Sequence, residues 1–216
     1  MRIFEIYTKD IILRDFWNKL EESLEINEGE TGLTNYLSLA NEIIFKKFGI
    51  NPSDKVYFIA GSARLYLYPE LREAFGLTSQ IGDLDIVIPY KKFWIQAGLE
   101  EEWNNGGIYR PTNDASIEAF NVWDPARAGG AYADYKVRPT NDILRDANMI
   151  NGYYFMSLAD IIDYKMALNR DKEQEVVNLI KQYQGKNTMG RSEFLNKMIK
   201  LIGINNTKNF LGIVGK

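Results

Sequence analysis

The chain has no cysteine and no histidine among its 216 residues. Without cysteine there is no disulfide framework, no thiolate zinc site and no thiol nucleophile. Without histidine there is no Ser-His-Asp triad, no imidazole-bound metal and no histidine general base. Acid–base or metal chemistry must fall to Asp, Glu, Lys or Tyr. Long apolar runs are absent too: no stretch approaches the ~20 residues of a membrane span. The first residues, MRIFEIYTKDIILRDFWNKL, carry Glu5, Asp10 and Asp15 early and have no small-residue cleavage site, so no signal peptide is expected. A cytoplasmic protein with no membrane association is the default expectation. The formal net charge of −3 argues against a surface that is basic all over, although a local basic groove is compatible with it.

What is present is a core-forming composition, 45% hydrophobic and 13% aromatic, in a length that suits one domain with or without an appendage. Helical spacing runs through Ile11, Ile12, Phe16, Leu20 and Leu24, and again from Leu33 to Phe48, with Gly49 as a stop. MRIFEIY reads as a short strand or the lead-in to a helix. Val56 to Ala60 reads as a strand, Ala63 to Phe75 as a helix, Phe93–Trp103 as an aromatic helix, Asn104–Gly107 as a turn and Ala115 to Trp123 as a strand. Residues 125–152 read as a long loop with short strands. Ser157 with Asp160 three residues on is a capping-box pattern opening a helix. Helices are further expected from Lys172 to Tyr183 and from Arg191 to Ile202, and the tail NNTKNFLGIVGK as loose or docked on a partner. The order predicts an α+β fold: a small mixed sheet flanked by helices, with a helical C-terminal part. Its division is 1–50 (N-terminal helical segment), 51–150 (core) and 151–216 (helical part), or all one compact unit.

The strongest local signal is Ile81-Gly82-Asp83-Leu84-Asp85-Ile86-Val87-Ile88-Pro89. In a strand, residues two apart face the same way, so Asp83 and Asp85 share one face and the aliphatic residues take the other. Two adjacent carboxylates are costly unless a cation or proton offsets them, and hard oxygen ligands suit Mg²⁺ beside phosphates. Gly61-Ser62, between a strand and a helix, allows close backbone approach, and the helix N-terminus that follows suits a phosphate. Ser62 can bond a phosphate oxygen or simply cap the helix. Glu118 shares a strand face with Phe120 and Val122, which fits a metal or catalytic position or a sheet rim. Asp124 is a second candidate on that face. Lys165 falls in the apolar stripe of Leu158, Ile161 and Ile162, so it points inward and calls for an anionic partner unless its stem snorkels. Arg64 and Arg72 are placed to face the phosphates or to sit at the surface. Tyr66, Tyr68, Trp94, Trp103 and Trp123 are candidates to stack a base, or core residues.

Ala60-Gly61-Ser62-Ala63-Arg64 followed by Gly82-Asp83-Leu84-Asp85-Ile86-Val87-Ile88 resembles the Gly-Ser…Asp-x-Asp signature of the polymerase β-like nucleotidyltransferase superfamily. Ser157 to Lys165, with Arg170 and Lys172 beyond, resembles the C-terminal helix of its minimal and abortive-infection toxin-type members. The resemblance covers roughly residues 55–183. The chain departs from the pattern in a 20-residue gap (63–82) between the two motifs, in Glu118 where Asp is more usual, and in Glu173 where Asp often stands. The resemblance implies that Asp83, Asp85 and Glu118 bind Mg²⁺ or Mn²⁺. It implies that Gly61, Ser62, Lys165 and Arg64 bind an NTP, and that NMP passes to an acceptor hydroxyl on RNA, protein or a small molecule. The alternative is a catalytically silent module of that fold, such as a toxin–antitoxin component, binding a protein through its N-terminal helices or its tail. A metal-dependent phosphohydrolase is disfavoured by the lack of histidine ligands.

Overall fold

The computed structural model describes residues 14, 16–18, 20, 31–77, 81–111, 116–124, 138–168, 171, 174–184 and 191–202. The expectations on MRIFEIY, Arg170, Lys172, Glu173 and the tail lie outside the described residues.

The alternating segment around Leu84 becomes strand β2 (Leu84–Val87) near the middle of a six-stranded sheet. On one side β1 (Phe58–Ala60) runs antiparallel to it and pairs Ala60 with Asp85. On the other side β4 (Ile117–Phe120) runs parallel and pairs Asp85 with Glu118. β3 (Ile108–Tyr109) is antiparallel to β4 at one edge. Beyond β1 lie β6 (Tyr153–Phe155), parallel to it, and β5 (Asn148–Ile150), antiparallel to β6. The sheet order is β3-β4-β2-β1-β6-β5, a mixed sheet as expected. All three β1 residues are buried, so this strand is covered on both faces, as its unbroken apolar run requires.

Helix α1 (Thr31–Asn41) passes into a π-helical turn, Glu42–Lys47, where Phe48 N–H reaches back to the Ile43 carbonyl at 3.0 Å. Gly49, at φ +64°, ends it where a stop is expected. The expected helix from Ala63 to Phe75 divides into a 3₁₀ stretch, Ala63–Leu67, and α2 (Pro69–Ala74). Pro69 explains the break: proline drives the preceding residue out of the helical region, and Tyr68 sits at φ −124°, ψ 101°. The aromatic helix likewise divides into α3 (Lys91–Gln96) and α4 (Glu100–Asn104), with Gly98 at φ +71° between them. Within 125–152 the sequence pattern misses a helix, α5 (Thr140–Asp146), and residues 125–137 lie outside the described set.

Helix α6 (Leu158–Leu168) is buried along its whole length, Asp163 alone being half-exposed. Its start follows the expected capping box: the Asp160 N–H donates to Ser157 Oγ at 3.1 Å, and Ser157 Oγ–H donates to Asp160 Oδ2 at 2.6 Å. Helices α7 (Gln174–Gln184) and α8 (Arg191–Ile202) follow. Phe16, Trp17 and Leu20 join the core, with the Phe16 ring 5.8 Å from Phe194 of α8. The buried side chains form a single cluster around the sheet. No helix among the described residues is long and apolar enough to cross a membrane.

Candidate functional site

The sheet register builds the site. Residues directly paired across neighbouring strands project from the same face. Ala60, Asp85 and Glu118 therefore share a face across three adjacent strands. Asp83, two residues before Asp85, lies exposed just ahead of β2, while Asp85 is half-buried. Two residues 33 apart in sequence, Asp85 and Glu118, thus become cross-strand neighbours.

Gly61 closes the approach from β1. Its φ of +69° is a left-handed conformation that L side chains rarely adopt, and a Cβ there would lie 2.9 Å from Asp85 Oδ2. A side chain at position 61 would thus crowd the carboxylate. The same point lies 3.9 Å from Trp123 Cη2, which forms the other wall of the notch. Ser62 follows and does not cap the short helix after it. Its hydroxyl instead accepts a hydrogen bond from Lys165 Nζ at 2.7 Å. The five-residue 3₁₀ stretch is too short for a useful helix dipole. The polar groups that meet here are the Ser62 hydroxyl and the Lys165 ammonium.

Lys165 is 1% exposed, as its place in the apolar stripe predicts. An ammonium drawn from water needs polar compensation, and Ser62, 103 residues away in sequence, offers part of it. Arg64 is also 1% exposed rather than at the surface. Its Nη1 donates to the Met156 carbonyl at 2.6 Å, tying the 3₁₀ stretch to the segment that leads into α6. Burial pushes its guanidinium pKa down, while the charge and hydrogen bond of Tyr68 and the charge of Asp160 act the other way. Asp124 is half-buried at the end of the β4 segment, and Arg72 is half-buried on α2. Among the aromatic candidates, Tyr66, Tyr68 and Trp94 are core residues, and Trp94 donates its indole N–H to the Ile88 carbonyl at 2.8 Å.

Sequence reasoning missed Arg110. It lies one residue past β3 and forms an ion pair with Glu118; the arginine side chain is 55% exposed and the glutamate 17%. The antiparallel β3–β4 pairing brings the arginine there, a signal that local pattern does not carry. Among the described residues, no three acidic side chains stand close enough together to hold an ion as they are. The donor set nevertheless fits a hard divalent cation: carboxylate oxygens on adjacent strands, with Asp83 open to solvent.

A second cluster also escaped the sequence. Asp160 is 2% exposed and accepts from Arg14 Nη2 at 3.0 Å and from Arg138 Nη1 at 3.1 Å. Arg14 also pairs with Asp163 at 3.0 Å, and Arg138 with Asp146 at 2.6 Å. Burial pushes the Asp146 carboxyl up, but the hydrogen bonds and charges of Arg138 and then Arg145 outweigh it and hold it below the usual carboxylate range. No protein-family model, curated protein or solved structure matches the chain.

Proposed function

We propose that the chain is a metal-dependent nucleotidyltransferase that moves NMP from an NTP to an acceptor hydroxyl on RNA, protein or a small molecule. The observation that carries this reading is the buried Lys165 on Ser62 Oγ at 2.7 Å, next to a glycine that leaves room only for the Asp85 carboxylate. A cation and a hydroxyl placed beside a carboxylate ledge suit a triphosphate with its metal.

Asp83 and Asp85, joined by Glu118, would hold Mg²⁺ or Mn²⁺. Bound there, two such ions supply charge neutralisation for the attacking and leaving oxygens of an in-line displacement. Ser62 donates to a phosphate oxygen, and Lys165 balances the charge that grows on the β- and γ-phosphates. The acceptor oxygen attacks the α-phosphorus, its proton passes to Glu118, and the bond to the β-phosphate oxygen breaks to release pyrophosphate. To serve in this way Glu118 exchanges Arg110 for the metal and the acceptor. Catalysis by position and charge suits a site with neither imidazole nor thiol.

The test is transfer of label from each α-labelled NTP, with Mg²⁺ or Mn²⁺, into pooled RNA, protein and small-molecule acceptors. Wild type transfers label, and the Asp83→Ala/Asp85→Ala double variant loses at least about a hundredfold, in line with removal of a central electrostatic group. Absence of transfer with all four NTPs, together with no metal-dependent NTP binding by calorimetry, sinks the reading and leaves the silent module.

A further inference from the structure

The sheet register sets a row of residues abreast on one face. Ala60 on β1 stands opposite Asp85 on β2, and Asp85 opposite Glu118 on β4. β3 runs antiparallel to β4 with Tyr109 opposite Ala119, so Arg110, the next residue, stands opposite Glu118. Directly opposed residues share a face, with their Cβ atoms about 5 Å apart. The row therefore reads small, acidic, acidic, basic. Like charges set directly opposite each other repel, and Arg110 is the counter-charge at the Glu118 end.

Glu118 thus has Asp85 on one flank and Arg110 on the other. Its Oε1 accepts from Arg110 Nε, so that oxygen is committed to the β3 flank. The same oxygen cannot hold the guanidinium and join Asp85 around a cation. A guanidinium in that place also repels an incoming metal ion. The hold is nevertheless a light one. Among the described residues, Nε is the arginine nitrogen that bonds the glutamate, not the two-pronged fork of a tight arginine–carboxylate pair. The arginine side chain is also more than half exposed, and an ion pair of this kind is weak enough for a divalent cation to displace. Arg14 and Arg138 of the Asp160 cluster differ: each joins two carboxylates and is mostly covered.

We propose that Arg110 guards the metal site: in the free protein it occupies Glu118 in the cation's stead, and a divalent ion gains Glu118 only by displacing it. This rests on the nucleotidyltransferase reading above and adds regulation to it. The metal level at which the site fills is set by an arginine outside the carboxylate donor set, at the edge of the sheet.

The experiment measures Mn²⁺ binding to the full-length protein, by calorimetry and by electron paramagnetic resonance of the free ion. Mn²⁺ is added alone and together with non-hydrolysable analogues of the NTPs. Wild type, Arg110→Gln, Glu118→Gln and the double variant are compared. Arg110→Gln is expected to bind Mn²⁺ about two- to fivefold more tightly than wild type, the worth of an exposed ion pair. With Glu118→Gln already in place, the same substitution is expected to change little, because the guard has lost what it holds. A gain of equal size in both backgrounds overturns the proposal, since it reports only the loss of a nearby positive charge. So does unchanged affinity in Arg110→Gln. Either result leaves the nucleotidyltransferase reading standing if wild type binds Mn²⁺ and Asp83→Ala/Asp85→Ala does not. Mn²⁺ bound by neither wild type nor Arg110→Gln, with or without an analogue, removes both.

Discussion

The molecule holds two acidic clusters that treat charge in opposite ways. Asp160 is 2% exposed, and its carboxylate meets two arginines and the Ser157 hydroxyl. Its charge is matched from within, and the arginines come from the N-terminal segment (Arg14) and from a position two residues ahead of α5 (Arg138). At the second cluster Asp85 and Glu118 are paired across neighbouring strands, Asp83 is exposed just ahead of β2, and Glu118 faces an arginine that is itself 55% exposed. One cluster fastens separate stretches of chain; the other keeps negative charge at an open surface.

Removing a carboxylate from each cluster should therefore produce opposite results. The largest effect on stability is expected from Asp160→Ala, which leaves two arginines converging on a buried position. Loss of one partner from a buried ion pair costs about 3–5 kcal/mol, and Arg14 and Arg138, 29% and 24% exposed, place this case near the lower figure. Urea unfolding followed by circular dichroism measures it. Asp83→Ala/Asp85→Ala, by contrast, removes one exposed and one half-buried side chain and should cost less than about 1 kcal/mol. An equal stability loss in both variants would erase the distinction.

Gly61→Ala tests the ledge without touching a charge. A left-handed φ and a contact to Asp85 Oδ2 under 3.0 Å predict a stability loss of about 1–2 kcal/mol, with weaker metal-dependent NTP binding measured on the same preparation. Wild-type binding in Gly61→Ala would show that the notch is not part of the site.

The smallest effect is a pH dependence at the Arg138–Asp146 pair of the Asp160 cluster. The folded-state pKa of Asp146 lies below the ordinary carboxylate value. The stability it brings is thus present above that ordinary value and is lost as pH falls through the folded one. Its side chain is 38% exposed, so solvent screening keeps the contribution under about 1 kcal/mol. Urea midpoints between pH 6 and pH 3 should fall less steeply in Asp146→Asn than in wild type.

The readable parts of this chain were those in which one or two neighbouring residues decide the backbone. Gly49 ends its helix, Ser157 and Asp160 cap theirs, and Lys165 turns inward because the stripe around it does. Pro69 was equally local, yet the apolar spacing of Ala63 to Phe75 masked its effect on Tyr68. The rest depends on partners remote in sequence. Arg14 and Asp160 are 146 residues apart, and the buried Arg64 donates to the carbonyl of Met156, 92 residues on. Ser62 read equally well as a helix cap and as a phosphate ligand; the Lys165 bond decides against the cap. Trp123, one of several aromatics the sequence offers, joins the core cluster at 6% exposure.

The π-helical turn at Glu42–Lys47 bears on how this chain can change length. Adding one residue to an α-helix rotates everything beyond it by about 100°. A wider turn absorbs such a residue locally, as a loop of slack would, and leaves the helix before it in phase with the core after it. Ile43 and Ile44 stay buried within that slack. Shortening the chain by one residue at this point would rewind a turn rather than tear a helix from its seat, which makes it a natural place for length variation in sequences descended from this one.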